Sequence, residues 1–292
     1  MAESIRKFLR LAPTPVEGEE NAFSPSPLSL WLGVDKQAEY TEFEYPSATK
    51  EMAKQKTILV VCTEERFMTM EDGKTKFSTG NHPVETIIPL KHFLHAGFNL
   101  QMCTPTGKPA VLEEWAMPTH DDAFLQLYKS LQSQFQSPLS LEEVVATLMD
   151  DSPYAAVFLP GGHGAMLGLP QNSNLARLLS WAMETNKFVM ALCHGPAALL
   201  AADQGALFKG YKLTAFPDSM DKVAPYIGYL PGTLPWYMGQ KLTAAGMTII
   251  NKSANGAVHK DRNLITGDSP KAANAFGKLA TDSLVNSLGL DS

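Results

Sequence analysis

The stretch FVMALCHGPAALLAA, from Phe188 to Ala202, constrains the fold of this chain more than any other segment. It opens on an apolar run of strand length with no polar face, so a strand here needs cover on both sides. Small residues follow, with Pro196 where a helix accepts proline, and the pattern predicts a strand running through a short turn into a helix. Cys193 falls in that turn. Strand-to-helix turns of this kind hold a nucleophile at the carboxyl edge of a sheet, where open α/β sheets bind their ligands. The start of a helix beyond the thiol also favours thiolate, the reactive form. Free cysteines are most often small buried hydrophobes. That reading suits Cys62 and Cys103, which lie within or at the ends of strands with no such turn after them. At Cys193 the polar neighbour His194 and the Gly-Pro start of the helix favour chemistry instead.

The rest of the chain repeats the alternation. TILVVCT, from Thr57, is a β-branched run with the signature of a strand buried on both faces. A helix is predicted from Pro83 to His95, with Gly97 just past its end. Strands follow at Phe98–Cys103 and Ala155–Leu159, then a helix near Asn174–Glu184 and the strand Phe188–Leu192. KLTAF, MTIIN and NLITG read as short strands, and KAANAFGKLATDSLVNSL as a long amphipathic closing helix. This order implies an α/β protein, with a mostly parallel sheet and helices on both faces. Two segments stand apart. Residues 1–55 lack periodicity, are rich in Pro, Ser and acidic residues, and read as an extended arm packed on the body. Residues 104–152 carry two helices, one on each side of Pro138; at about fifty residues they are too long for a crossover and read as an inserted lid or subdomain. The core is therefore expected over 56–292, interrupted by that insert, with arm and insert together making a small second domain.

A net charge of −6 and the absence of any Lys/Arg-rich run argue against a polyanion partner and against sequence-specific nucleic-acid binding. The longest apolar runs are too short to cross a bilayer, and the N-terminus lacks the apolar stretch and cleavage site of a signal peptide. Three cysteines without paired spacing suit a reducing cytoplasm better than a disulfide framework.

Several polar residues are candidates for chemistry. Adjacent side chains diverge, so His194 is not expected to act as a simple protease-type base on Cys193. It can act on a substrate carbon held there, or be oriented by a carboxylate elsewhere. Asp218, after the strand in LTAFPDS, is the candidate orienter, with a plain turn residue as the alternative. Glu85 lies in the first turn of the helix at Pro83, where the helix dipole alone explains an acidic side chain at up to about 1 kcal/mol. PGGHG follows a strand, and the backbone at Gly161, Gly162 and His163 can offer N–H groups to an oxyanion. No GxGxxG or GxxxxGK pattern supports a phosphate cradle. His92 and His95, three apart on one helix, are half of a metal-ligand set; with no second pair beside them they read as solvated positions.

GNHPVET, PGGHGA, CHGPAALL, AFPD and HKDRNLITGDSP, in this order, together resemble the ThiJ/PfpI superfamily and, within it, the HchA type, described as a heat-shock chaperone and as glyoxalase III. The resemblance runs over nearly the whole chain, with ENAFSPS in the arm and EEWAMP at the start of the insert. It implies a flavodoxin-like core of the class I glutamine-amidotransferase type with a small second domain, and a homodimer. It also implies conversion of methylglyoxal and related 2-oxoaldehydes to 2-hydroxy acids without glutathione and without a cofactor. Holdase activity toward unfolded chains and repair of glycated proteins or nucleotides are further activities of the family. By position, Cys193 is then the nucleophile, His194 its neighbour, Glu85 the carboxylate near the thiol and Asp218 the third member. A holdase with little enzymatic role, and a cysteine peptidase or amidase, are the competing readings.

Some HchA-type proteins also hold a metal on two histidines and one carboxylate. The matching positions here carry Leu94, Asn99 and a residue at or near Tyr128, with His92, His95 and His120 close by, so that site is expected to be absent. Elemental analysis of chelator-treated, active protein checks this; stoichiometric zinc returning together with activity contradicts it.

Overall fold

The computed structural model describes residues 8–32 and 38–288, so parts of the N-terminal arm lie outside the described residues. The strand Thr57–Val61 shows why the sheet forms. Successive side chains of a strand point to opposite faces, and in TILVV both sets are apolar. Ile58 and Val60 enter a core with Phe158, Met190 and Phe276, while Leu59 and Val61 enter a second core with Val157, Val189 and Leu199. Both faces are dry, which places the strand inside the sheet. Its neighbours Asn99–Thr104 and Tyr154–Leu159 both run parallel to it.

The sheet has seven strands in the order Val258–Asp261, Leu264–Gly267, Phe188–Leu192, Tyr154–Leu159, Thr57–Val61, Asn99–Thr104 and Leu139–Ser140. Every pairing is parallel except the hairpin of Val258–Asp261 with Leu264–Gly267. Helices Pro83–His95, Asp122–Gln136 and Ala273–Ser287 cover one face through residues such as Ile87, Phe135 and Phe276. Leu141–Ala146, Ser173–Glu184 and Met238–Ala244 cover the other through Val144, Leu178 and Leu242. This is the mostly parallel, doubly covered α/β fold expected of the sequence.

Four expectations change. The segment after Cys193 is not an α-helix but a 3₁₀ helix, Gly195–Ala201. The tighter winding lets the backbone at Gly195 lie against the carbonyls of Leu159 and Pro160, where a Cβ would collide. KLTAF and MTIIN shrink to the two-stranded pair Lys212–Leu213 with Thr248–Ile249, because the backbone beyond turns to side-chain partners: Thr214 N–H donates to Thr266 Oγ1 and Ala215 N–H to Asn251 Oδ1. The insert does not stand apart as a lid. Its helices do flank Pro138, but Leu139–Ser140 pairs with Cys103–Thr104 as an edge strand, and Leu141 and Val144 are fully buried in the main core. The arm's strands pair elsewhere, although Val16 and Ser24 line one pocket together with Val111, Trp115 and Tyr128 of the insert. Thr14–Pro15 and Ala22–Ser24 join Lys76–Ser78 and Phe67–Thr69 in a separate four-stranded sheet, so the arm's partner is a hairpin that the strand-helix alternation did not single out.

Phe158 is fully buried between Phe93, at 5.8 Å between ring centroids, and Phe276, at 5.6 Å. Phe158→Ala should therefore cost about 3–5 kcal/mol, read as a lower urea midpoint with unchanged slope.

Candidate active site

The parallel strands all end at one edge, and the polar residues collect there. Cys193 follows Phe188–Leu192 with φ 59°, a left-handed conformation that a cysteine adopts only under constraint, at a cost of order 1–3 kcal/mol. The constraint is visible on both sides. Cys193 N–H donates to Gly267 O at 2.8 Å, and Phe216 N–H donates to Cys193 O at 3.0 Å, so neighbouring segments fix the elbow. The turn also overturns the expectation that the Cys193 and His194 side chains diverge. With Cys193 left-handed and His194 at φ −90°, ψ −6°, Sγ lies 3.4 Å from His194 Nδ1.

The orienting carboxylate is Asp221, not Asp218. Asp221 is 1% exposed and accepts from His194 Nε2 at 2.9 Å and from His163 Nε2 at 3.0 Å, one imidazole on each oxygen. Burial opposes its charge, but the two imidazoles outweigh burial and hold the carboxyl below the usual carboxylate range. His194 is pushed down, first by burial and then by the neighbouring His163, against the pull of Asp221. That shift favours the neutral ring; with Nε2–H donating to the Asp221 carboxylate, the Nδ1 lone pair faces the thiol. For His163 burial acts downward too, but the Asp221 charge and hydrogen bond win and raise it. The two rings lie 3.9 Å apart. Asp218 instead accepts from Gly239 N–H at 2.7 Å and Gln240 N–H at 2.9 Å, holding the start of the helix Met238–Ala244. Asp218 is the first acid after the strand, the position to which the sequence points. Its one-turn neighbour on the helix Asp218–Val223, three residues on, is the one turned inward.

Glu85 is fully buried beside Cys193. Burial pushes its carboxyl well above the usual range, against the pull of the thiol and of Gly162 N–H, and Glu113 and Asp268 push the same way. Burial also raises the Cys193 thiol, and Glu85 adds to it. The sequence expectation of a thiol lowered by a helix start is thus reversed, because desolvation and an adjacent acid exceed what a short 3₁₀ segment can supply. Thiol and carboxyl sit close enough that a Cβ on Gly161 would overlap both the Glu85 carboxylate and Cys193 Cβ, so glycine is required there.

The turn at Gly161, Gly162 and His163 lies beside Cys193, and Gly162 and His163 line the cavity. Gly162 N–H faces Glu85 and His163 N–H faces Glu113, while the His163 side chain joins Asp221. Glu113 itself, in EEWAMP, was not singled out by sequence. It is 1% exposed, accepts from Thr79 Oγ1 at 2.8 Å, and is pushed up to about 7, chiefly by burial.

These groups line a cavity of about 150 Å³ with no lysine or arginine among its described lining residues; Ser29 of the arm, Ile227 and Tyr229 complete the wall. Two of the family's metal positions lack its ligands: Leu94 has no side-chain donor atom, and Asn99 offers an amide, its Nδ2 donating to Lys54 O, in place of an imidazole or carboxylate. His92 is not solvated as expected but buried, 2.9 Å from Asn274 Oδ1 and lowered to about 4, chiefly by burial. Among the described residues the one converging set of three is His163, His194 and Asp221, with ligand atoms within 4.8 Å of one another.

A doubly covered parallel sheet with a left-handed cysteine elbow and a Cys–His–Asp network at its carboxyl edge defines a flavodoxin-like cysteine-site protein. More narrowly, the DJ-1/PfpI family model matches residues 76–282, and the chain belongs to that family. It is 46% identical over 268 residues to the protein/nucleic acid deglycase HchA of Escherichia coli O157:H7, covering 91% of this chain and 93% of that one. Among solved structures, a Francisella tularensis Rapid Encystment Protein superposes with TM-score 0.64 at 23% identity, covering 78% of this chain and 99% of that one. Glyoxalase III of Candida albicans gives 0.62 at 19%, covering 78% and 98%. At these identities the structures speak for the fold. No helix among the described residues is long and apolar enough to cross a membrane.

Asp221→Asn should lower turnover on the order of 10²–10⁴-fold by releasing the His194 tautomer, whereas Asp218→Asn should leave turnover within about threefold and cost about 1 kcal/mol of stability. Steady-state rates and denaturation of the two variants side by side check this; equal losses of turnover contradict the assignment.

Proposed function

We propose that this chain is a glutathione-independent glyoxalase converting small 2-oxoaldehydes, methylglyoxal among them, to 2-hydroxy acids through a Cys193 hemithioacetal. One observation carries the reading: the Cys193 thiol stands 3.4 Å from His194 Nδ1 and beside the fully buried Glu85 carboxyl, in a small cavity without lysine or arginine among its described lining residues. A neutral dicarbonyl meets no charge penalty there. An anionic substrate would face Asp221 with only His163 to balance it.

The proton path follows from the contacts. His194 Nδ1 takes the thiol proton as Sγ adds to the aldehyde carbon, and Glu85 gives its proton to the oxygen that addition charges. The Glu85 carboxylate then accepts the hydrogen of that carbon as a proton and returns it to the neighbouring carbon through an enediol. Water then attacks the thioester, giving one proton to the Glu85 carboxylate and so restoring it; the C–S bond breaks, the His194 imidazolium reprotonates the departing thiolate, and the 2-hydroxy acid leaves. Adducts that the same dicarbonyls form on amines and thiols present a comparable carbon, and the similarity to a protein/nucleic acid deglycase supports including them. Exposed Trp31, Val223, Tyr226 and Ile227 support a holdase activity alongside, and the homodimer and cytoplasmic setting expected from the resemblance belong to the same reading.

Loss of methylglyoxal without glutathione tests the proposal, with the cysteine adduct of methylglyoxal as second substrate. Cys193→Ala should lose at least about 10³-fold in turnover while Cys62→Ala and Cys103→Ala stay near wild type. Glu85→Gln, which keeps shape without an exchangeable proton, should lower kcat far more than it changes KM. Full turnover by Cys193→Ala contradicts the mechanism, and retained suppression of aggregation by that variant marks the holdase as separable.

A further inference from the structure

We propose that Glu113 is a second substrate-touching acid of this site, giving a hydrogen bond and then a proton to the ketone oxygen of the 2-oxoaldehyde while Cys193 holds the adjacent aldehyde carbon. The inference rests on the glyoxalase reading and supplies what that path lacks, a donor for the second oxygen.

Geometry carries it. Glu113 lines the same cavity as Cys193, His194 and Glu85. Its backbone is fixed from both sides, Glu113 N–H donating to Asn81 O at 3.0 Å and Ala116 N–H to Glu113 O at 2.8 Å. Oε1 is occupied by the Thr79 hydroxyl at 2.8 Å. The backbone N–H of His163 faces the same carboxyl, yet Oε2 is buried with no aligned hydrogen-bond partner. A buried carboxyl oxygen left unpaired costs roughly 1–3 kcal/mol, so a purely structural acid would be expected to have both oxygens satisfied. Since Oε1 is already an acceptor, a proton on this carboxyl belongs on Oε2, the free oxygen. Burial holds the group near neutrality, at about 7, so at neutral pH it can both hold and release that proton.

The step balances. As the Glu85 carboxylate removes hydrogen from the former aldehyde carbon, charge builds on the ketone oxygen, and Glu113 transfers its proton there to give the neutral enediol. When Glu85 returns its proton to the second carbon, the hydroxyl on the first becomes the thioester carbonyl, and its proton restores Glu113. No co-reactant is consumed.

The experiment is steady-state kinetics of methylglyoxal loss for wild type, Glu113→Gln and Glu113→Asp between pH 5 and pH 9, with a thermal melt of each. Glutamine keeps the Thr79 contact and can still donate a hydrogen bond but cannot give up a proton. It should lower kcat about 100-fold with KM within about threefold, and it should abolish the fall of kcat above about pH 7 that loss of the acid produces. Aspartate should recover part of kcat and restore that fall. Glutamine within threefold of wild type, with its pH profile unchanged, overturns the assignment and leaves the glyoxalase reading intact. Wild-type protein inactive on methylglyoxal and on its cysteine adduct overturns both. If the glutamine variant does not fold, the wild-type and aspartate profiles decide, and the absence of any fall above pH 7 overturns the assignment.

Discussion

The site depends on one buried carboxylate shared by two imidazoles. Among the described residues no other cation pairs with Asp221, and removing the two ring N–H donors would leave a buried anion without a partner, which proteins do not tolerate cheaply. The sharing fixes more than charge. With each Nε2 committed to Asp221, His194 has one tautomer, and that tautomer aims its lone pair at Cys193. The rings are held sideways as well: His194 stacks on Phe216 at 4.8 Å, and Phe77 meets His163 edge-on at 5.6 Å. Phe216 is also the residue whose N–H pins the Cys193 carbonyl, so the same residue fixes the elbow and the imidazole. Displacing Asp221 would loosen the tautomer and the balance of charge together.

Three acids face one cavity, and their environments drive them apart. Asp221 has two imidazoles and stays ionised. Glu85 and Glu113 have no cation of their own and are pushed toward the protonated form by burial. Carboxyls separated in this way can act in opposite senses in one turnover, one as fixed counter-charge and two as proton carriers. The arrangement also treats substrate and product differently. In the reaction proposed above, a neutral dicarbonyl would enter freely, but the carboxylate product would have Asp221 beside it and no lysine or arginine among the described lining residues to hold it. Coulomb repulsion in a low-dielectric cavity then favours release.

The parts of this design that sequence exposes are those set by local pattern. FVMALC predicts its strand to the residue, and Pro83 to His95 predicts its helix to the residue, because apolar periodicity, an initial proline and a following glycine are local signals. Cys193 stands out for the same reason. What depends on contacts distant in the chain does not show. Asp221 and Asp218 differ only in which way one turn of helix faces, and His163 is drawn to Asp221 across 58 residues. Glu113 is the first of two adjacent acids ahead of Trp115 and looks like any solvated charge until Thr79 and the burial around it are seen. The insert hides its strand because Leu139–Ser140 is too short to alternate, and only pairing with Cys103–Thr104 defines it.

The arm bears on which substrate suits the cavity best. Ser26 N–H donates to Gly228 O at 2.8 Å, and the Ser29 hydroxyl donates to Ile227 O, so the arm is tied to the loop that carries Ile227 and Tyr229. Ser29 and Ile227 then wall the cavity from the solvent side. Burial under this wall is what pushes Glu85 and Glu113 toward the protonated form and the thiol upward. Opening the arm to admit a bulky adduct would hydrate both acids and weaken the proton transfers that the mechanism uses. A free dicarbonyl fits under the closed arm, whereas an adduct on a folded protein must bring its backbone to the rim. On the proposed glyoxalase reading, the same burial would rank small free dicarbonyls ahead of protein-bound adducts as substrates of this site.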